Sequence, residues 1–411
     1  MLDFSDKPYR FFPPRRFAPA AWLLTQLNRW ARLPRTKRVV SLDVTGGGRL
    51  DPLRGPAHRV IFLPNHPSHA DPEIMLEALR RVGIAPRFMA AYDIFLRALH
   101  HRWAMQLMGA FSVDREGSDP RAMSEAGKTI AAGRYPLVLF PEGNVYLQND
   151  VVTPFHDGAA FLALKAAKEL APAARVWAVP VSIKLTHLGD ARAKAQAKLD
   201  EVADAVGAGQ EGGPGALERL RAVGLAALRR NLKHRGLPAP EGADLPAVIR
   251  AAAGTVLDDL ERKLGVEARP KDDLLERVRR ARRTIHQIRL DEARAADAAA
   301  AVVWADAAML AFRIASYGGD YVARNPTLDR WAETVEKLAE DVFGRPWAPF
   351  GPRHAFVAFH EPIDVTAAGE EAPKLRAAVA ACTERVEGAA QAGVDALNAE
   401  NPHPGGRIRV G

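Results

Sequence analysis

Short apolar runs and helical-period segments alternate along the first half of the chain. RVVSLDVTG (38–46) reads as a strand entering a glycine turn, and HRVIFLPNH (58–66) as a buried strand. DPEIMLEALRRVG (71–83) has helical spacing, with Asp71 expected at the N-cap and Pro72 at the first helical position. RFMAAYDIF (87–95) opens a second unit, and YPLVLFPEG (135–143) is an apolar strand ending in a glycine turn. DGAAFLALKAAKELA (157–171) predicts an amphipathic helix, and RVWAVPVSIKL (175–185) another buried strand. Strands alternating with helices predict an α/β domain with a largely parallel central sheet flanked by helices.

After Asp190 the pattern changes. Up to Gly351 the chain is rich in Ala, Arg, Glu and Leu at helical spacing, with loops expected at GAGQEGGPGA (207–216) and RGLPAPEGADLP (235–246). HAFVAFHEPIDV (354–365) returns as a strand of the first kind, followed by a closing helix over 372–397. A lone late strand needs a sheet to join. The organisation read from this is a core over 39–190, an all-helical insertion over 191–351, and a last strand and closing helix over 352–401. Residues 1–38 form an arm and 402–411 a tail.

Charge separates the arm from the rest. The chain of 411 residues has a net charge of +8, and residues 1–40 hold nine Lys and Arg against two acids. Phe11, Phe12, Phe17, Trp22, Leu23, Leu24, Leu27, Trp30 and Leu33 are interleaved with those charges, at helical spacing from Pro19 onward. That combination predicts an interfacial helix on an anionic membrane surface, and removing residues 1–36 is expected to weaken vesicle binding with the core still folded. The alternative is a helix packed on its own domain. No run of 18 apolar residues is present, so no transmembrane helix is expected. The single cysteine, Cys382, excludes an internal disulfide.

Candidate chemistry gathers where strands end. His66 and Asp71 would diverge on one helix; they meet if His66 sits in a loop and Asp71 begins the helix. The carboxylate then accepts the Nδ1–H and leaves Nε2 as a free base at the mouth of the sheet. The alternative is a capping Asp71 beside an ordinary loop histidine. His66, His69 and Asp71 also form a weak metal-ligand pattern, but no further ligands stand at a familiar spacing, and no metal is expected. AMSEAGKT (122–129) lacks the first glycine and the strand of a phosphate loop. RVRRARR (277–283) reads as a solvated helix face or a second lipid contact, and no nucleic-acid-binding signature accompanies it. EARAADAAAAVVWADAAMLAF (292–312) predicts a close-packed helix.

Four blocks occur in order: NHPSHAD (65–71), GAFSVDR (109–115), FPEG (140–143) and AVPVSI (178–183). Together they resemble the 1-acylglycerol-3-phosphate acyltransferase family of glycerolipid acyltransferases. FHEPIDV (359–365) looks like that family's last strand. The resemblance covers about residues 40–190 and 352–400. It implies a glycerolipid-acyltransferase-type α/β domain, here interrupted by the helical insertion. It also implies transfer of a fatty acyl group from acyl-CoA or acyl carrier protein to a lysoglycerophospholipid hydroxyl, with no other cofactor. His66 would be the general base and Asp71 its orienting partner. Arg115, Glu142 and Gly143 would hold the acceptor, and Asn65 would shape the loop. Ser68 lacks a nucleophile-elbow setting and is read as a loop residue. After FPEG the chain has Asn144-Val145-Tyr146 where many members have Thr-Arg, which is more similar to the tafazzin-type variant and opens the choice of acceptor head group. The resemblance also implies a protein peripheral to the cytoplasmic face of a membrane. The competing expectations are a non-catalytic lipid-binding scaffold of the same fold and a metal-dependent hydrolase.

Overall fold

A computed structural model describes residues 9–117, 119–209, 215–267, 269, 272–371 and 374–411. Asp3, Asp6 and Lys7 of the arm and the centre of the 207–216 loop lie outside the described residues. Eight strands form one sheet: β1 (Val39–Thr45), β2 (His58–Pro64), β3 (Arg87–Ala91), β4 (Phe111–Val113), β5 (Leu137–Val138), β6 (Arg175–His187), β7 (Arg353–Phe359) and β8 (Ile363–Asp364). Their order is β1-β7-β6-β2-β5-β3-β4, with β8 also on β6. Among the described strands β6 pairs antiparallel with β7 and with β8, and the other pairings are parallel. The late strand β7 thus lies inside the sheet, between β1 and β6.

Alternation along the strands supplies both faces of the sheet. Ile61 and Leu63 face a layer made by α5 (Pro120–Ala132), α6 (Gly158–Leu170) and α15 (Leu375–Glu400). Phe62, Val179, Val181 and Ile183 face the layer of α2 (Asp71–Arg81), through Ile74, Met75 and Leu79. The short α3 (Tyr92–Leu96) and α4 (Leu99–Met108) bridge β3 to β4. Between β6 and β7 the described residues form helices and loops: α7 (Arg192–Val206), α8 (Ala216–His234), α9 (Leu245–Leu264), α10 (Leu274–Leu290), α11 (Ala298–Ala315), α12 (Tyr321–Arg324) and α13 (Leu328–Phe343). α14 (Val365–Glu371) follows β8, and α16 (Pro404–Arg407) lies in the tail, where Val410 packs into the cluster around α7 and α13. Among the described residues one helix, Glu292–Ala315, is long and apolar enough to cross a membrane by length and composition. Its Ala301, Ala305 and Ala308 pack against Leu260, Leu264, Ala281 and Ile285 of α9 and α10.

The arm is stitched to the core. Phe12 is buried and stacks on Phe95, ring centroids 5.3 Å apart. Its N–H donates to Ser112 Oγ at 2.8 Å, and the Ser112 N–H donates back to its carbonyl. Arg16 donates to the Met108 carbonyl at 2.7 Å. Helix α1 (Ala18–Leu27) continues into a π-helical stretch, Asn28–Thr36, whose Leu33 enters the α2-side core. The outer face of the same segment stays bare. Phe17, Trp22, Leu23, Leu27 and Trp30 are each at least half exposed, and Leu99 and Trp103 of the neighbouring α4 are also exposed.

The seam between sheet and helical region is polar and buried. Lys184 is paired with Asp150, which also accepts from Arg330 Nε at 2.6 Å. The Glu333 carboxyl accepts from Tyr321 O–H and, at 3.2 Å, from the Asn149 N–H. Burial, with the Asp150 charge, pushes Glu333 up to about 8; burial pushes Glu142 to about 8 and Glu336 to about 7. An unfolded glutamate titrates near ~4.3, so from there to neutrality the native state holds the extra protons. Stability from these groups is full below that value and is lost as pH rises through 7 to 8. Burial depresses His69, His101, His156, His354 and His360, which gives the opposite slope, confined below about pH 6.5. Urea unfolding should therefore show stability falling between about pH 6.5 and 8, by on the order of 1 kcal/mol per carboxyl. Glu333→Gln should lessen that fall by one carboxyl's share, leaving those of Glu142 and Glu336; a variant with the wild-type slope would remove Glu333 from the linkage.

Candidate active site

Four adjacent parallel strands release polar residues at their C-terminal ends, the edge at which open α/β sheets bind ligands. His66 follows β2, Glu142 and Gly143 follow β5, Asp93 follows β3 and Arg115 follows β4. β2 ends against β6, where the Asn65 amide donates to the Ile183 carbonyl at 3.0 Å and accepts its N–H at 2.7 Å. This clamp turns the chain out of the sheet and places His66 in the loop.

His66 Nδ1 lies 2.8 Å from Asp71 Oδ2. The same oxygen accepts the Ser68 N–H at 2.8 Å. On its other side the imidazole stacks on Phe140, centroids 4.2 Å apart and planes 27° from parallel. The ring is held by a carboxyl at one edge and an aromatic face, and Nε2 makes no hydrogen bond among the described residues. Asp71 is fully buried. Burial pushes its carboxyl up, against the hydrogen bonds from His66 and Ser68. The N-cap of α2 is Ala70 and helix begins at Asp71 itself, so the expected cap is corrected: the side chain serves His66 and Ser68 instead of the helix N-terminus.

Glu142 is also turned inward. Its Oε1 accepts the His66 backbone N–H at 2.6 Å, and Thr153 hydrogen-bonds the carboxyl as well. Raised to about 8 by burial, it is largely neutral at neutral pH and adds no second charge beside Asp71. Gly143 has φ of +68°, and a Cβ there would stand 2.9 Å from His156 Cδ2. Both facts call for glycine. Arg115 bridges two strand ends, donating from Nη1 to the Gly143 carbonyl and from Nη2 to Asp93 Oδ1, each at 2.9 Å. It is one-quarter exposed.

The structure thus brings His66, Asp71, Arg115 and Gly143 together. Asn65 and Glu142 are buried, 2% and 3% exposed: Asn65 shapes the loop through its clamp on Ile183, and the Glu142 carboxyl is turned to the His66 backbone. Ser68, read as a loop residue, orients Asp71 through its backbone N–H. Asp93 and the packing role of Phe140 were missed; an acid two residues past an apolar strand was the available signal for Asp93. His69 leaves the dyad for Glu340 on α13, at 3.0 Å. Among the described residues no group of three or more His, Cys, Asp or Glu is placed to hold a metal.

Residues 43–184 match the family model described as Acyltransferase. The matched stretch carries every residue of the site just described and supports acyl transfer as the class of activity. No curated protein matches the sequence.

Proposed function

We propose that the protein transfers a fatty acyl group from an acyl thioester, acyl-CoA or acyl carrier protein, to the hydroxyl of a lysoglycerophospholipid. The observation that carries this reading is the His66–Asp71 pair, with Nε2 unengaged, at the strand edge of an acyltransferase-matching segment. His66 Nε2 takes the acceptor hydroxyl proton as that oxygen attacks the thioester carbonyl. Asp71 holds the tautomer and offsets the charge of the imidazolium. The tetrahedral intermediate collapses, the C–S bond breaks, and the imidazolium returns its proton to the leaving thiolate. Arg115 and the Gly143 turn receive the acceptor's phosphate and glycerol, a group that suits a forked, permanent cation.

A lipid substrate calls for a route to a bilayer. The exposed apolar residues of α1 and α4, flanked by Arg15, Arg29 and Arg32, support peripheral docking on an anionic membrane, placed here at the cytoplasmic face. Incubating the full chain with labelled acyl-CoA, and separately with acyl carrier protein, across lysolipids of different head groups tests the reading. Diacylated product is expected from at least one pair. Absence of product from every pair, with vesicle-bound and folded protein, would sink it.

A further inference from the structure

Arg115 is not a free cation. Its ion pair with Asp93 leaves the two close to neutral, while a phosphate monoester carries between one and two negative charges at neutral pH. A phosphate at this edge calls for a second positive charge, and the helical region brings one. Helix α10 is fastened to the Arg115 loop on both sides of that residue. Arg282 Nε donates to Glu116 at 2.8 Å, and His286 Nε2 lies 3.4 Å from Asp114. On the other wall, Val278 shares a buried cluster with Tyr146, three residues past Gly143. Between these anchors, one turn before Arg282, stands Arg279. It is exposed and makes no ion pair or hydrogen bond among the described residues.

The electrostatics of the Gly143–Tyr146 loop agree with that position on the anchored helix. Burial depresses His156, which packs under Gly143, to about 4, and the Arg279 charge adds to that shift. Burial and Glu142 raise Tyr146 to about 12, against the pull of Arg279 and Arg115. In the same loop Asn144 is buried, and its Nδ2 has no hydrogen-bond partner among the described residues.

We propose that Arg279 is a second phosphate-binding cation, delivered by the helical region to the Arg115–Gly143 edge of the site. The inference rests on the acyl-transfer reading for the role of that phosphate, which belongs either to the acceptor or to coenzyme A. Calorimetric titration of the full chain with sn-glycerol 3-phosphate, and separately with coenzyme A, tests it without turnover. Arg279→Gln should weaken binding of one probe about tenfold, as expected for a lost charge-assisted contact. Arg279→Lys should recover most of the loss, and Arg283→Gln, an exposed neighbour on α10, should match wild type. Loss for glycerol 3-phosphate alone assigns the acceptor, and loss for coenzyme A alone the donor. Unchanged affinity for both probes, an equal loss in Arg283→Gln, or no binding of either probe by the folded wild type would overturn the proposal. If no lysolipid is acylated but the Arg279→Gln loss appears, the acyl-transfer reading fails and the phosphate site stands.

Discussion

Replacing His66 by alanine is expected to lower acyl transfer by about 10²–10⁴-fold, the usual contribution of a general base. The fold should persist, because the ring is one face of a loop and Asp71 keeps its hydrogen bond from the Ser68 N–H. Asp71→Asn is the companion test. It keeps the side-chain shape but removes the charge that offsets an imidazolium, so the rate should fall by about 10²-fold or more. Since Asp71 does not cap α2, any instability in Asp71→Ala would come from leaving the Ser68 N–H and His66 Nδ1 unpaired. The cost of such a loss is on the order of 1–3 kcal/mol. Activity of His66→Ala within about twofold of wild type would remove the histidine from the mechanism, whatever Asp71→Asn does.

The strand runs were legible because their alternation survives without tertiary context: Ile61 and Leu63 against Phe62 is a pattern of residues. The His66–Asp71 contact was legible because a strand, a short loop and a proline-opened helix leave one way for two residues five apart to meet. Glu142 was harder. A carboxylate after an apolar strand looks the same whether it turns outward to ligand or inward to a backbone N–H, and its inward partners here, the His66 N–H and Thr153, lie in other segments. Asp93 acts through an ion pair with Arg115, 22 residues away, and the proposed role of Arg279 depends on a helix more than 130 residues beyond Gly143. No local spacing encodes those. The arm misled in the opposite direction: its Phe12 and Trp22 look alike in sequence, yet one stacks inside on Phe95 and the other faces out.

Substituting Trp22 and Trp30 together by alanine is expected to weaken binding to anionic vesicles by roughly 10²-fold. Both rings are about two-thirds exposed, 66% and 65%, so their removal takes little from the folded interior. A large apolar side chain moved out of water contributes about 1.5–3 kcal/mol, and two partly inserted rings give the stated factor. Truncating the arm would be a poorer test, because it would also strip Phe12 from Phe95 and the Ser112 backbone. The arginines act differently. Arg10, Arg15, Arg29 and Arg35 are exposed, and each basic group near an anionic surface adds about 1 kcal/mol that salt screens. Wild-type binding should therefore fall with salt to a residue carried by the aromatic rings, while the double variant should release at high salt. Co-sedimentation of both forms at low and high salt decides it: equal sedimentation at high salt would mean the rings are not the anchor. The arginine-rich 277–283 stretch is a weak substitute, since Arg277 and Arg280 are held by Glu261, and Arg282 by Glu116. The anchor would then be sought among the other exposed apolar side chains of that face, Phe17, Leu23 and Leu27 and, on the neighbouring α4, Leu99 and Trp103.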